Sequence, residues 1–288
     1  MVTLTLENVL RRDRWIVVVA LAAIVMLSWI YILSLVLQMH GPATSDNMPG
    51  MDMPMSSMPG MDMSGPKMSG MAMAGMDMLA TPHLADQTVL FLMWVAMMIG
   101  MMIPAAAPMI LLYARVARKA AAHGKPFAAT GWFAAGYLLV WAAFSLIATL
   151  LQGWLQRHAF LSPDMAISNR LFAGFLLIAA GLFQWGSLKD ACLSQCRMPL
   201  QFIQQHGGFS RDAGGSLKLG MYHGAYCVGC CWALMALLFV GGVMNMLWIA
   251  GLTILVLLEK IAPFGRNLAK AIGVVLMLCG VVVLATRL

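Results

Sequence analysis

Long uncharged apolar runs alternate along the chain with short polar joints, and the length of the runs decides the class of protein. Residues 15–37 carry no charged side chain, which satisfies the roughly 20 residues that a helix needs to cross a bilayer. Further apolar runs cover 88–112, 130–151, 169–187, a stretch ending near 240, 243–258 and 271–286. The pattern predicts an all-α, polytopic transmembrane helical bundle of about seven spans. A cleaved signal peptide would have an apolar core of only about 7–15 residues, so the first run reads as an uncleaved anchor. Pro104 and Pro108 predict a kinked or broken second span, and Gly241-Gly242 predicts a tight turn before the sixth.

Three regions follow: a cytosolic N-terminus and anchor over 1–37, a polar external loop over 38–87, and a six-helix membrane domain over 88–288. Spans two to four and five to seven form two triplets. Each triplet has an odd number of helices, so the second enters the membrane from the opposite side. Inverted three-helix repeats of this kind place binding sites near the midplane.

Composition reinforces the membrane reading, with 61% hydrophobic and 10% charged side chains and a mean hydropathy of +0.84. The net charge of +7 does not imply nucleic acid, because the basic residues cluster at the ends of apolar runs. The N-terminus and the second, fourth and sixth loops hold 3, 4, 4 and 3 Lys plus Arg residues, 14 of the 18; the other side has Lys67, Arg157, Arg170 and Arg287. The positive-inside rule therefore predicts a cytosolic N-terminus, an external C-terminus and an external 38–87 loop, periplasmic if the inner membrane of a Gram-negative host holds the chain.

That loop changes the chemical picture. It repeats Met48-Pro-Gly-Met51-Asp-Met53, Met58-Pro-Gly-Met61-Asp-Met63 and Met73-Ala-Gly-Met76-Asp-Met78, and twelve methionines fall between Met48 and Met78. The absence of any periodicity that could bury a core predicts a disordered segment. A thioether is a neutral, soft donor that needs no deprotonation, so such clusters suit Cu(I) or Ag(I) and discriminate against hard cations. Within the second span, Met97, Met98, Met101 and Met102 fall on one side of a helix.

The second concentration of soft donors is Tyr222-His223-Gly224-Ala-Tyr226-Cys227-Val-Gly229-Cys230-Cys231-Trp232, at the start of the fifth span. On a helix His223, Cys227, Cys230 and Cys231 share a face. Thiolate with imidazole selects Cu(I), Zn(II) and similar ions. A straight helix separates His223 from Cys231 by about 12 Å, so either Gly224 or Gly229 bends the segment or ligands arrive from elsewhere. Lys189-Asp-Ala-Cys192-x3-Cys196-Arg197 lies in the fourth loop, where a cytosolic location would keep thiols reduced. The lone Cys279 reads as packing.

With Leu188-Lys-Asp-Ala-Cys192-x3-Cys196-Arg197-x-Pro199, His223-Gly-x-Tyr226-Cys227-Val-Gly-Cys230-Cys231-Trp232, Val243-Met-Asn245, Glu259-Lys260 and Met98-x-x-Met101-Met102-x-Pro104-x3-Pro108-Met109, the chain resembles a bacterial domain-of-unknown-function family of predicted metal-binding integral membrane proteins. The resemblance covers about residues 87–265 and leaves the Met-rich loop outside. It implies a membrane protein that binds metal, and singles out His223, Cys227, Cys230, Cys231, Met101, Met102 and Asn245 without giving them roles.

The expected function is copper handling: the external loop captures Cu(I) and passes it to methionine, cysteine and histidine ligands in the bundle, for transport or delivery. Expected partners are membrane lipid, the metal ion, and a periplasmic copper chaperone or membrane oxidase. No phosphate-binding loop supports pumping by ATP. The alternative is a membrane thiol-disulfide oxidoreductase using Cys227 and Cys230, with Cys192 and Cys196 as a second pair. The metal reading further expects the sulfur-bearing faces of spans two and five to oppose one another.

Overall fold

Runs with no charge to hydrate and no strand-like alternation satisfy their backbone polar groups internally by coiling, and the computed structural model, which describes residues 2–40, 84–123, 129–161 and 165–286, is built of helices. In chain order they are α1 Val2–His40, α2 Leu84–Ala122, α3 Thr130–Arg157, α4 Arg170–Gln184, α5 Ser187–Arg197, α6 Pro199–Gln205, α7 Ala213–Ala236, the short α8 Leu238–Gly241, α9 Met246–Ile261 and α10 Gly265–Ala285. The repeated methionine segment lies outside the described residues, as do the expectations attached to Met48, Met51, Met53, Met58, Met61, Met63, Met73, Met76 and Met78.

Among the described residues five helices are long and apolar enough to cross a membrane, beginning with Trp15–Leu37 inside α1; α4 with α5 makes a sixth candidate if the pair, bent by 61°, is one span. This differs from seven similar spans, and the reasons are local. Gly186 starts a new helix in a new direction after the 15-residue α4. The turn before α9 passes through Gly242 at φ +90°, and Asn245 caps α9 by accepting from the Trp248 amide at 3.1 Å. Pro263 follows the end of α9 closely, leaving it 16 residues.

Other expectations are corrected. Of the two outcomes that Pro104 and Pro108 allowed, a break is excluded: α2 is one continuous helix of 39 residues; each proline removes a single amide donor, and packing against α1, α3 and α9 holds the helix together. The fourth "loop" is mostly helix: α5 and α6 fold back against the bundle, and α5 packs on α7. Lys189 and Lys260, which the charge pattern assigned to cytosolic joints, are buried at 1% and 8% exposure. Cys279, expected to pack, is exposed on α10.

The helix that carries His223 and the three cysteines is positioned from both ends. At its start Asp212 accepts from the Gly215 amide at 2.7 Å and from the Ser210 hydroxyl at 2.6 Å. The Ser210 hydroxyl foremost, with the backbone amides, holds the Asp212 carboxyl below the usual carboxylate range. Along its length α7 meets α3 through glycines: a Cβ on Gly220 would collide with the Phe133 carbonyl, and one on Gly136 with the Leu217 carbonyl. Absent side chains let the two backbones touch, which is how membrane helices gain packing where lipid offers no hydrophobic drive. The second intimate pair, α4 with α10, uses Gly174 and Gly181 against Gly280 and Gly273. Between the two triplets, α3 packs on α7, α2 on α9 and α4 on α10.

Candidate metal-handling site

The i, i+3 and i+4 spacing on α7 delivers what it implies: Cys227, Cys230, Cys231 and His223 are all buried, at 1–3% exposure. The helix runs without a break through Gly224 and Gly229. Cys230 and Cys231 both donate to the Cys227 carbonyl, at 3.1 and 2.9 Å, and Cys196 of α5 is near enough to Cys227 and Cys230 to interact with both electrostatically. Thiols from two helices are therefore neighbours. A Cβ at Gly229 would sit 2.8 Å from the Cys192 sulfur, so the glycine makes room for a fifth sulfur at the α5–α7 contact.

Two polar groups address this cluster from outside α7. The Lys260 ammonium of α9 donates to the Cys227 sulfur at 2.8 Å. The Tyr137 hydroxyl of α3 lies 3.0 Å from the same sulfur and 3.1 Å from the Met102 carbonyl, to which it donates. The carbonyl only accepts, so the phenolic O–H points to it, and the Tyr137 oxygen is left to accept a hydrogen bond from the Cys227 thiol when the sulfur carries a proton. One residue before Lys260, Glu259 turns to a different partner, accepting from Lys189 at 2.7 Å and from the Gln184 amide at 3.0 Å. Lys189 also donates to the Gln184 side-chain oxygen. Together α4, α5 and α9 close a buried ion pair beside the thiols.

His223 sits one turn before Cys227 inside an aromatic box, its ring 5.9, 5.7 and 5.3 Å from those of Phe133, Tyr137 and Phe202. Its Nδ1 is buried with no hydrogen-bond partner. A buried imidazole nitrogen without a partner is a donor atom available to a soft ion. Beside Phe202, with its ring tilted by 30° at 4.5 Å, His206 borders a cavity of about 550 Å³ that Arg211, Lys218 and Tyr222 also line. The His206 Nδ1 donates to the Phe202 carbonyl at 2.8 Å, which leaves Nε2 as the nitrogen free to meet a ligand.

Met98, Met101 and Met102 are fully buried on α2, as is Met97. α2 packs mainly on α1, α3 and α9, and α7 on α3 and α5, yet spans two and five also meet directly: the Tyr113 hydroxyl of α2 lies 2.8 Å from the Ser216 hydroxyl of α7. Tyr137 of α3 joins Met102 to Cys227 through its hydroxyl. The described side chains include no three His, Cys, Asp or Glu groups already converged on one metal-sized point. All six cysteines are free thiols, and the oxidoreductase alternative gains no support. Asn245, singled out by resemblance, is the α9 cap.

Sequence reasoning did not place Cys196 beside the α7 cysteines, quoted Lys189, Glu259 and Lys260 only inside motifs without giving them a role, and missed Tyr137 altogether. Its available signal was Glu259-Lys260 at the end of an apolar run, since ionisable groups inside a membrane segment mark function by default. Reading Lys260 as a topology marker discarded that signal.

Buried cysteines and methionines sit in a bundle of helices long and apolar enough to cross a membrane, and comparison with known families points to copper. A family model described as PpoB2, copper chaperone, matches residues 91–283, about two thirds of the chain and all of the cysteines. The chain belongs to this copper chaperone family. No curated protein and no solved structure matches it. The matched region leaves the methionine repeat outside.

Proposed function

We propose that the chain is an integral membrane copper-delivery protein: the external methionine repeat captures Cu(I), the thiols of Cys196, Cys227, Cys230 and Cys231 hold it inside the bundle, and an acceptor protein takes it from there. The observation that carries this reading is the convergence of thiols from α5 and α7 beside the unpartnered imidazole nitrogen of His223. Thiolate and thioether together favour Cu(I) over hard cations, and the family description favours delivery over bulk transport.

In this reading the ion moves by exchange of soft ligands. A sulfur of the incoming carrier is replaced by a sulfur of the cluster, the ion stays monovalent, and each thiol that binds releases its proton to water. The α2 methionines Met98, Met101 and Met102 line the approach. The cavity beside His206 is the opening through which an acceptor reaches the imidazoles and then the thiols. The external placement of the repeat rests on the excess of basic residues at the opposite joints; removing buried Lys189 and Lys260 from that count does not reverse it.

A Cu(I) competition titration of the purified full chain tests the proposal, alongside a chain lacking residues 48–78 and the variants Cys196→Ser and Cys227→Ser. Loss of the repeat is expected to lower the number of ions bound while leaving one tight site, and Cys227→Ser to weaken that site at least tenfold. Unchanged tight binding in both cysteine variants would remove the bundle site.

A further inference from the structure

We propose that Lys260 determines the charge of the ion that the thiol cluster accepts, selecting monovalent over divalent soft cations. The inference rests on the copper-holding reading above and specifies its selectivity. Two ammonium groups are buried near the cluster, and their surroundings differ. Lys189 is cancelled by the carboxylate of Glu259 at 2.7 Å. Lys260 takes part in neither of the two ion pairs found among the described residues; its ammonium meets sulfur instead, donating to Cys227 at 2.8 Å. The interior at this point therefore carries one positive charge that only sulfur answers.

Charge arithmetic then decides between ions. A monovalent ion bound by two thiolates has a net charge of −1, which the Lys260 ammonium reduces to zero. A divalent ion on the same two thiolates is neutral, so the ammonium leaves the buried site at +1. Uncompensated charge away from water is expensive. The divalent ion regains neutrality by recruiting a third thiolate, when no three thiols among the described residues are converged on one metal-sized point, or by driving the proton off Lys260, which breaks its hydrogen bond to the Cys227 sulfur; either route carries a cost that the monovalent ion avoids. Two thiolates are thus the hold that needs least rearrangement, and with two the ammonium discriminates by valence. Loading forms two metal–sulfur bonds, each ligating thiol that still carries a proton loses it to water, and no electron moves.

Arginine at the same position would keep the charge, whereas methionine would keep the length and apolar bulk without it. The test uses Ag(I) and Cd(II), both thiophilic and both redox-inert under the assay, so that charge is the variable. Cd(II) is titrated against the Ag(I)-loaded full chain in detergent, and the thiolate-to-cadmium absorption band reads the thiol site without interference from the methionine repeat. Wild type is expected to retain Ag(I). Lys260→Met is expected to shift the Ag(I)/Cd(II) preference towards Cd(II) by at least about tenfold, equivalent to about 1.4 kcal/mol, and Lys260→Arg to stay within about threefold of wild type. Should Lys260→Met fail to fold, Lys260→Gln carries the same loss of charge and the same expectation. A preference that is unchanged in the neutral variants, with Ag(I) still bound at the thiols, overturns the proposal and leaves the copper-holding reading standing; so does ready displacement of Ag(I) by Cd(II) in wild type. Wild-type protein whose thiols bind neither ion removes both.

Discussion

Glu259 and Lys260 are neighbours on α9, both buried, and they enter two different electrostatic environments. Glu259 closes a pair with Lys189, and Gln184 bonds to both partners. Lys260 faces thiols and a phenol. The first environment is a carboxylate–ammonium pair in which neither charge can be discarded cheaply, and it ties α4 and α5 to α9. The second is adjustable, because a thiol can carry its proton or lose it and can exchange that proton for a metal ion. The difference separates a fixed clamp from a site with chemistry, one residue apart.

The largest expected effect breaks the clamp. Glu259→Gln keeps the shape and leaves Lys189 buried without a counter-charge, and removing one partner of a buried pair costs about 3–5 kcal/mol. Unfolding in mild detergent should show a loss of that order. Lys260→Met should be milder, within about 1.5 kcal/mol, because Cys227 becomes an ordinary neutral thiol once its cation is gone. Equal losses in the two variants would erase the distinction drawn between the environments.

Next comes Tyr137→Phe, which removes the hydroxyl shared by Met102 and Cys227 across α3. A buried acceptor left without its donor costs about 1–3 kcal/mol. The same variant should weaken Cu(I) retention more than Phe133→Leu does, since Phe133 touches the imidazole and not the sulfur. The smallest effect is expected for Arg266→Ala, which removes the solvent-facing pair with Asp190; exposed pairs contribute about 0–1 kcal/mol. That value, measured in the same detergent, gives the baseline against which the buried pair is judged.

How much of this was legible in the sequence varies by element. The unbroken apolar run of α1 needed nothing beyond its length, and the Cys227/Cys230/Cys231 face followed from helical spacing. The bend at Gly186 was not legible, because the residues of α5 are polar enough to read as a loop. It is tertiary contact with α7 that makes them a helix carrying Cys196 inward. Lys260 was misread for a related reason: basic residues at the ends of apolar runs normally mark the cytosolic side, and only the fold shows that this one turns back to a sulfur. Tyr137 gave no local signal, since an aromatic residue in an apolar helix is ordinary, and its role depends on the fold bringing the Met102 carbonyl of α2 and the Cys227 sulfur of α7 to one hydroxyl.

The central claim is that the thiols of α5 and α7 hold Cu(I) inside the bundle, and copper K-edge X-ray absorption tests it most directly. The sample is the chain lacking residues 48–78, loaded with one equivalent of Cu(I). The account predicts a first coordination sphere of two sulfurs at about 2.2–2.3 Å, which is lost or replaced by lighter donors in Cys227→Ser. A sphere of nitrogen and oxygen alone, or a sulfur sphere untouched by Cys227→Ser and Cys196→Ser, would contradict it.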